Sequence, residues 1–281
     1  MSITFRKIEL ELLNETFIKE ACTHSGYSQL ELKKYIITSI EEAKYTVSLI
    51  KKYSLQNKFI LEFGSGLGFA SIMLHLEGYD ITSFEPGGLG FEKNNLLNQF
   101  IKKHFNLNFI LISDMAKVKD NSFDFIFSNN VLEHIENIEE TILKLDKSLT
   151  GNGIMLHNVP NYIVPYEPHF GIAFLPIFPK KMSFLISKNI TSTDLWKSIN
   201  FINVFDVKSY AKKANAIVTF EKKLIYKIIE RIDNDKEFAN RHKGISNIIN
   251  LLKKVGILKL IKILPVSLNT PMIFEWRKNS A

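Results

Sequence analysis

Cysteine is almost absent from this sequence, and its scarcity excludes several kinds of protein. Cys22 is the single cysteine among 281 residues, so no disulfide can form within the chain. A metal centre built from several cysteine ligands is excluded for the same reason. Because chains without disulfides are typical of reducing compartments, we expect a cytoplasmic protein.

Long apolar runs are also lacking. One of the longest, FGIAFLPIF at residues 170–178, is about half of the roughly 18 residues that a membrane-spanning helix requires. The N-terminal segment carries charge from Arg6 onward and lacks the apolar stretch typical of a secretion signal. We therefore expect neither a spanning helix nor a secretion signal.

The chain carries an excess of positive charge within an otherwise ordinary composition. Hydrophobic residues make up 46% and charged residues 23%, which indicates a folded protein. A net charge of +7 favours an acidic partner such as nucleic acid, an anionic membrane or a phosphorylated substrate. Lysines scattered over a solvated surface are the simpler interpretation, since the whole chain is rich in Lys, Ile and Asn.

Short apolar runs alternate with amphipathic segments from residue 58 onward. The apolar runs predict strands at 58–63, 80–85, 107–112, 123–128 and 153–159. The amphipathic segments predict helices at 67–77, 91–105 and 137–149. Near-continuous apolar strands between helices are typical of a parallel sheet covered on both faces. The sequence therefore predicts a doubly wound α/β fold.

Further segments flank this core on both sides. Helical periodicity at 9–22 and 28–53 predicts two N-terminal helices, which we assign to a helical cap spanning 1–56. The remaining domain, 57–281, contains an insertion at 160–200 that is rich in proline and aromatic residues, as lids often are. After it, the pattern predicts a helix at 206–214, a strand at 215–222, a helical insertion at 223–264 and a last strand at 272–277. The predicted sheet is then mostly parallel and seven-stranded.

A glycine-rich turn joins the first predicted strand to the first helix of the core. Gly64, Gly66 and Gly68 are spaced G-x-G-x-G, and glycine lets a backbone approach a ligand closely. A dinucleotide-binding turn requires a third glycine at the position of Phe69, and the lysine of a phosphate-binding loop is absent too. A phosphate-bearing ligand is therefore disfavoured, although an NAD-dependent oxidoreductase is kept as an alternative.

Two carboxylates flank the glycine turn. Glu62 lies two residues before Gly64, where its charge would repel a pyrophosphate and neutralise a cationic ligand. Glu85 closes the second predicted strand, where a carboxylate can accept hydrogen bonds from both hydroxyls of a ribose. A cationic nucleoside without phosphates fits both positions, and S-adenosylmethionine is such a molecule.

Several motifs, in order along the chain, resemble those of class I S-adenosylmethionine-dependent methyltransferases. FILEFGSGLG resembles the first motif of these enzymes, ITSFEP their acidic second-strand end, and LISDMAKV the loop that holds the adenine. FDFIFSNNVLEHI, residues 123–135, is similar to the fourth-strand motif of the subgroup that includes the ubiquinone and menaquinone biosynthesis methyltransferases. The resemblance covers about residues 57–160 and implies a Rossmann-like methyltransferase fold with S-adenosylmethionine as cofactor.

The resemblance also implies which residues contact the cofactor. They are Glu62, Gly64, Gly66, Gly68, Glu85, Asp114, Met115 and Asn129. Within this set, the glycines approach the methionine moiety, Glu62 orients its ammonium group and Glu85 binds the ribose. Asp114 binds the adenine amino group with Met115 nearby, and Asn129 contacts the methionine end.

Methyl transfer requires the acceptor atom, the methyl carbon and the sulfur to lie in line, so alignment is the protein's main task. Where the acceptor must lose a proton, His169 and His134 are the candidate catalytic bases. A pocket-shaping role is an alternative for His134, and His157 on the fifth predicted strand is as readily a core histidine. The spacing of His134 and His169 from Glu133 and Glu167 matches no standard metal-ligand motif, so we predict no metal site.

Several features limit the acceptor. Cytosine C5 methylation requires a nucleophilic cysteine beside the pocket, whereas Cys22 lies in the predicted N-terminal helices. The turn at 128–131, SNNV, lacks the Asn/Asp-Pro-Pro-aromatic motif of exocyclic-amine nucleic-acid enzymes, so we expect no nucleic-acid acceptor. The apolar lid residues Phe174, Phe178 and Phe184 favour a small molecule such as a lipid, an isoprenoid or a lipid-linked sugar.

Two further alternatives follow from the sequence. Residues 245–264 carry lysines between apolar residues, which fits either peripheral contact with an anionic membrane or a packed helix whose lysines extend into solvent. A module that binds the cofactor without catalysis, acting as a partner subunit, is an alternative to an enzyme. The glycines and carboxylates predict that the protein binds the cofactor. They do not distinguish an enzyme from a non-catalytic binding module, since both would bind it.

Overall fold

The predicted sheet is the centre of the computed structural model, which describes residues 3–88, 91–173, 183–222 and 265–279, together with Leu224 and Lys254. The strands are β1 (Phe59–Phe63), β2 (Asp80–Phe84), β3 (Ile110–Ile112), β4 (Phe123–Asn129), β5 (Leu149–Val159), β6 (Tyr166–Glu167), β7 (Ile172–Ala173), β8 (Ala216–Phe220) and β9 (Met272–Lys278). Strands β6 and β7 pair as a short antiparallel hairpin, and the others form a seven-stranded sheet in the order β3-β2-β1-β4-β5-β9-β8. Strands β1 to β5 are parallel, whereas β9 is antiparallel to β5 and β8. The predicted doubly wound, mostly parallel seven-stranded sheet is confirmed.

The central strands bury both of their faces. On β1, Ile60 packs in the core that contains the N-terminal helices, whereas Leu61 packs in the core on the opposite face of the sheet. On β4, Phe125 and Ile126 divide between the two cores in the same way. Because successive side chains of a strand point to opposite faces, a continuous apolar run fits a sheet that is covered on both sides.

Helices provide this cover. They are α1 (Ile3–Leu12), α2 (Glu15–Ser25), α3 (Gln29–Ile50), α4 (Phe69–Leu76), α5 (Glu92–His104), α6 (Ile138–Ser148), α7 (Lys188–Thr191), α8 (Asp194–Ser198) and α9 (Val204–Lys213). Helices α1 to α5 contribute to the core on one face, and α6 and α9 contribute to the core on the other. Short 3-10 turns occur at Met115–Lys117, Leu132–His134, Ser183–Leu185 and Val266–Leu268.

The N-terminal region contains three helices. The helix predicted at 28–53 is confirmed as α3, whereas the single helix predicted at 9–22 is wrong, because α1 and α2 cover this part of the chain. The first predicted helix is interrupted at Asn14, whose side chain accepts a hydrogen bond from the backbone N–H of Thr16 at 2.8 Å. Asparagine favours the N-cap position because its side chain satisfies a backbone donor that the new helix leaves unpaired. Helices α1, α2 and α3 all pack in the same core as β1.

The region expected to form a lid is described in part. The hairpin of β6 and β7 and the short helices α7 and α8 lie within residues 160–200. Phe174 and Phe178 lie outside the described residues. Phe184, the third lid phenylalanine, is 78% exposed and does not pack inward.

The late elements agree with the sequence pattern where they are described. Helix α9 matches the helix predicted at 206–214, and strands β8 and β9 match the two last predicted strands. The predicted helical insertion at 223–264 lies outside the described residues, apart from Leu224 and Lys254. Among the helices that the structure describes, none combines the length and the apolar character needed to cross a bilayer.

Candidate active site

The glycine turn between β1 and α4 has a backbone conformation that favours glycine. Gly64, Gly66 and Gly68 have φ angles of +75°, +53° and +78°, which residues with a side chain rarely adopt. The backbone N–H groups of Gly64 and Ser65 both donate to the carbonyl of Phe84 at 2.9 Å. The turn is therefore fixed against the carboxyl end of β2.

Glu62 is buried beneath the start of α4. Its Oε2 accepts hydrogen bonds from the backbone N–H of Ser71, at 2.9 Å, and from the hydroxyl of the same residue. These bonds satisfy a donor in the first turn of the helix. Burial raises the pKa of Glu62 to about 8, although the hydrogen bonds from Ser71 act in the opposite direction.

Glu85 lies at the end of β2 beside the glycine turn and is also buried. One of its carboxylate oxygens accepts a hydrogen bond from the N–H of Gly66 at 2.7 Å, and the other accepts one from the N–H of Gly87 at 3.1 Å. Burial raises the pKa of Glu85 to about 7, while these two bonds lower it. Together with Glu62, it places two poorly solvated carboxyl groups at adjacent strand ends, where they favour a cation.

A cavity of about 1270 Å³ opens at the carboxyl ends of β1, β2 and β4. Ligands of open α/β sheets bind at this edge. The predicted site residues in its wall are Glu62, Gly64, Gly66, Glu85, Asn129, His134 and His169. Small-molecule pockets usually enclose about 300–1,000 Å³. The cavity is therefore large enough for a cofactor and a second molecule beside it.

The remaining predicted cofactor residues do not line this cavity within the described part of the chain. A side chain at Gly68 would place its Cβ 2.8 Å from Nδ2 of Asn98, so close packing also accounts for this glycine. Asp114 is exposed and accepts a hydrogen bond from the N–H of Ala116 at 2.9 Å, which is ordinary turn chemistry. Met115 is half-buried and packs against the core that contains α6 and α9. Their contacts with a cofactor stay predictions.

The ends of β4 and β5 carry buried polar groups. Oδ1 of Asn129 accepts a hydrogen bond from Nδ2 of Asn158 at 2.6 Å, and both residues line the cavity. His157 is fully buried, with Nδ1 2.7 Å from Oγ of Ser128. Burial lowers the pKa of His157 to about 3. This histidine is therefore a neutral, hydrogen-bonded core residue.

Helix α3 forms part of the cavity wall, which the sequence analysis missed. Its cavity-lining residues include Tyr35, Ser39, Glu42 and Thr46. The hydroxyl of Tyr35 donates to Oδ1 of Asn94 at 3.0 Å, which connects α3 to α5 beside the cavity. The signal in the sequence was a polar stripe at helical spacing on a helix whose other face is apolar.

A cluster of histidines and glutamates lies at the cavity. The rings of His134 and His169 have centroids 5.1 Å apart, and both residues line the cavity. Nδ1 of His134 lies 2.8 Å from Oγ of Ser198, and Nδ1 of His169 lies 2.5 Å from Oε1 of Glu167. The two Nε2 atoms lie 3.9 and 4.0 Å from Oε1 of Glu133. The fold gathers side chains whose spacing along the sequence predicted no such cluster.

Burial and charge set the protonation of this cluster. Burial lowers the pKa of His134 to about 3, so its ring is neutral. Burial also acts to lower the pKa of His169, but the hydrogen bond and charge of Glu167 outweigh it, and the pKa is raised. Burial raises the pKa of Glu133 to about 8, although its own backbone N–H and His169 act in the opposite direction. Neither of its carboxylate oxygens accepts a hydrogen bond from another described residue. A buried acid that makes no hydrogen bond to another residue in the described part of the chain therefore faces two imidazoles.

The sheet order, the glycine turn, the acidic end of β2 and the cavity above them define a class I S-adenosylmethionine-dependent methyltransferase fold. Residues 39–217 match the family model described as a methyltransferase domain. The chain belongs to this family.

Two curated relatives illustrate the range of similarity. An uncharacterized protein of Mycobacterium tuberculosis is 34% identical over 194 residues, which span 65% of this chain and 65% of the relative. The match thus covers less than two thirds of the relative's length. The ubiquinone biosynthesis O-methyltransferase of Rickettsia prowazekii is 25% identical over 128 residues, 46% of this chain and 47% of the relative.

Solved structures share the fold at low sequence identity. An S-adenosylmethionine-dependent methyltransferase of Mesorhizobium loti superposes with a TM-score of 0.54 and 14% identity, covering 84% of this chain and 98% of the other. Phosphoethanolamine N-methyltransferase 2 of Haemonchus contortus, in complex with S-adenosyl-L-methionine, gives a TM-score of 0.50 and 14% identity, covering 93% of this chain and 60% of the other. At these identities the likeness is one of fold.

Replacing Gly64 with alanine tests the turn. The added Cβ would lie 2.4 and 2.5 Å from the γ carbons of Val131, whereas a Cβ at Gly78, which also has a positive φ, has nothing within 4 Å. We expect Gly64→Ala and the control Gly78→Ala each to lose about 1–2 kcal/mol of unfolding free energy through backbone strain. Gly64→Ala should lose about 1–3 kcal/mol more through overpacking. Urea denaturation measures the difference, and equal losses would contradict the contact with Val131.

The buried acids predict a stability that falls as the pH rises above 6.5. In this range histidines are mostly neutral in the unfolded chain, so the lowered pKa values of His134 and His157 contribute little to the slope. Unfolded glutamates are ionised, whereas Glu62 keeps its proton up to a pKa of about 8 in the folded state. The folded state therefore binds more protons, and each such group lowers the unfolding free energy by up to about 1.4 kcal/mol per pH unit.

Glu62→Gln should remove the contribution of this residue and flatten the slope between pH 6.5 and 8. Urea denaturation at constant ionic strength measures the slope for each variant. The control is Glu139→Gln on the surface, where Glu139 lies 2.6 Å from Lys213. If the unfolding free energy of Glu62→Gln falls with pH as steeply as that of the unmodified protein, Glu62 is not protonated in the folded state.

Proposed function

We propose that the protein transfers the methyl group of S-adenosylmethionine to a small-molecule acceptor. The observation that carries this proposal is that Gly64, Gly66, Glu85 and the two histidines, His134 and His169, line one and the same cavity. Membership of the methyltransferase-domain family supports the reaction type. The two buried carboxyl groups support a cationic cofactor without phosphates.

The methionine and ribose portions of the cofactor are assigned to the glycine turn. The backbone at Gly64 and Gly66 approaches the methionine moiety, and Gly68 keeps the turn in place. Glu85 accepts the ribose hydroxyls through lone pairs that its bonds to the backbone leave available. Glu62 uses Oε2 to hold α4. The ammonium group of the bound cofactor favours the ionised carboxylate, so cofactor binding lowers the pKa of Glu62 from its raised value and places a negative charge beside the ammonium.

The remaining proposed cofactor contacts, of Asn129, Asp114 and Met115, are supported by different observations. Asn129 lines the cavity and is assigned to the methionine end. Asp114 and Met115 are assigned to the adenine on their sequence motif alone, since they lie outside the described cavity wall.

The catalytic role is assigned to the two histidines. The bound cofactor supplies a methyl group activated by its sulfonium, and alignment of the acceptor contributes roughly 7–11 kcal/mol in favourable cases. His169 is held through Nδ1 by Glu167, so its Nε2 is free to take the acceptor's proton. Such a base contributes about 10²–10⁴ in rate. His134 is neutral and shapes the pocket beside it.

An apolar acceptor is favoured by the cavity wall. Apolar side chains there include Ile37, Phe91, Ile135, Leu195 and Ile273. We favour a lipid, an isoprenoid or a lipid-linked sugar, and a relative named for ubiquinone biosynthesis supports this class. Peripheral contact with a membrane through residues 245–264, which lie largely outside the described part of the chain, stays a prediction.

Glu85→Gln tests the cofactor assignment. Because hydrogen bonds to a charged group contribute about 1.5–3 kcal/mol, we expect the affinity for S-adenosylmethionine to fall about 10- to 100-fold. Isothermal titration calorimetry measures this change, with Glu139→Gln as the surface control. An unchanged affinity would remove the ribose assignment. Tight binding of NAD to the unmodified protein would favour an oxidoreductase instead.

Turnover is tested with a cell extract and S-adenosylmethionine that carries a CD₃ group. We expect mass spectrometry to find the label in an apolar small molecule. His169→Gln should lower the rate about 10²- to 10⁴-fold without changing the affinity for the cofactor. His104→Gln, a histidine near Glu11 outside the cavity wall, is the matched control. Cofactor binding without any labelled product would favour a non-catalytic binding module.

A further inference from the structure

Glu133, His134 and His169 present donor atoms to one another at the cavity. One donor atom from each of the three lies within 4.8 Å of the others. Two ligand atoms that are each about 2.1 Å from one cation lie at most about 4.2 Å apart. The distances from Oε1 of Glu133 to the two Nε2 atoms, 3.9 and 4.0 Å, already satisfy this limit.

The carboxyl group of Glu133 lacks, within the described ranges, the hydrogen-bond partners that a buried acid requires. Its side chain is 0% exposed, and both oxygens lack a hydrogen-bond partner among the described residues. An unpaired buried carboxylate is very unfavourable, and protonation leaves a hydroxyl donor that is also unpaired. A cation bound between Glu133 and the histidines satisfies the carboxylate.

In each histidine, a hydrogen bond at Nδ1 leaves Nε2 available to bind a metal. The hydroxyl of Ser198 donates to the carbonyl of Leu195 at 2.8 Å, so its oxygen accepts the Nδ1–H of His134. Nδ1 of His169 donates in the same way to Glu167. Both Nε2 atoms therefore carry lone pairs toward Glu133. A carboxylate or other acceptor behind a histidine is the usual arrangement around a bound metal.

The two segments that carry these side chains are also fixed. Nδ2 of Asn200 donates to the carbonyls of Leu132 and Ile135 at 2.7 and 2.8 Å and thereby holds the 3-10 turn that carries Glu133. Glu167 accepts further hydrogen bonds from the hydroxyl of Tyr162, at 3.2 Å, and from a backbone N–H of its own hairpin. The ligand geometry is therefore prepared before a metal arrives.

We propose that Glu133, His134 and His169 bind a divalent first-row transition metal, with open coordination positions toward the cavity. Two imidazoles with one carboxylate suit Zn²⁺, Fe²⁺ or Co²⁺ better than Mg²⁺ or Ca²⁺, which prefer oxygen ligands. Three protein ligands leave room for an oxygen atom from solvent or from an acceptor.

The chemical use of this metal rests on the methyl transfer proposed above. An acceptor hydroxyl bound to the cation loses its proton to solvent more readily. The oxygen then forms its bond to the methyl carbon as the bond from that carbon to sulfur breaks. In this arrangement His169 is a ligand of the cation and not a general base. The cation, instead of His169, promotes loss of the acceptor's proton.

Metal binding is measured directly on tag-free protein that has been dialysed against a chelator. We expect one equivalent of Co²⁺ to bind, to give visible absorption bands of a nitrogen- and oxygen-coordinated ion, and to be displaced by Zn²⁺. Glu133→Gln and His169→Gln should each weaken Co²⁺ binding at least 10-fold. Glu167→Gln should weaken it about 10- to 100-fold through the orientation of His169. His104→Gln should bind Co²⁺ as the unmodified protein does.

Calorimetry with S-adenosylmethionine accompanies each titration. Variants that keep cofactor affinity but lose Co²⁺ binding support the metal site. If Glu133→Gln fails to fold, His169→Gln on the hairpin decides the question. An unmodified protein that binds cofactor but no Co²⁺ or Zn²⁺, or variants that bind metal unchanged, would overturn this inference and leave the proposed methyl transfer standing. An unmodified protein that binds Co²⁺ or Zn²⁺ but not S-adenosylmethionine would support the metal site and overturn the proposed methyl transfer.

Discussion

The geometry of the site depends on the carbonyl of Phe84 as a hydrogen-bond acceptor. It accepts hydrogen bonds from the N–H groups of Gly64 and Ser65, and so it joins the turn after β1 to the end of β2. This contact requires the left-handed backbone that glycine supplies. With the two strand ends joined, Glu62 and Glu85 are buried close to one turn of backbone, and the cavity opens directly above them.

Burial of carboxyl groups then determines what the cavity can hold. Glu62, Glu85 and Glu133 all have raised pKa values because water is excluded from them. Each gains interaction energy if a positive charge comes within reach, because the surrounding dielectric is low. The cationic cofactor proposed at the glycine turn and the metal ion proposed at the histidines would use the same electrostatic principle on two parts of one cavity wall.

Sequence patterns predicted the sheet because the information was local. Continuous apolar runs predict strands buried on both faces, and the glycine spacing predicts a turn that approaches a ligand. The sequence predicts both His134 and His169 as candidate residues, but a site that combines them with Glu133 and Glu167 is set aside because their spacing matches no ligand motif. Their contact depends on the hairpin of β6 and β7 lying against a turn more than thirty residues earlier. The motif containing Asp114 was recognised, yet motif matching could not show that this side chain lies outside the described cavity wall.

The parts that sequence patterns described least are those that we assign to the acceptor of the proposed methyl transfer. Strands β1, β2 and β4 end at the part of the cavity that we assign to the cofactor, and the shared fold fixes the positions of these strands. Helix α3 and the hairpin of β6 and β7 supply Tyr35, Glu42, Tyr166 and His169 to the same wall. Since the hydroxyl of Tyr35 donates to Oδ1 of Asn94, a hydrogen bond connects α3 to α5, the helix that follows β2. If the proposed methyl transfer holds, we expect substitutions on the cavity-lining face of α3 to alter both the choice of acceptor and the affinity for the cofactor.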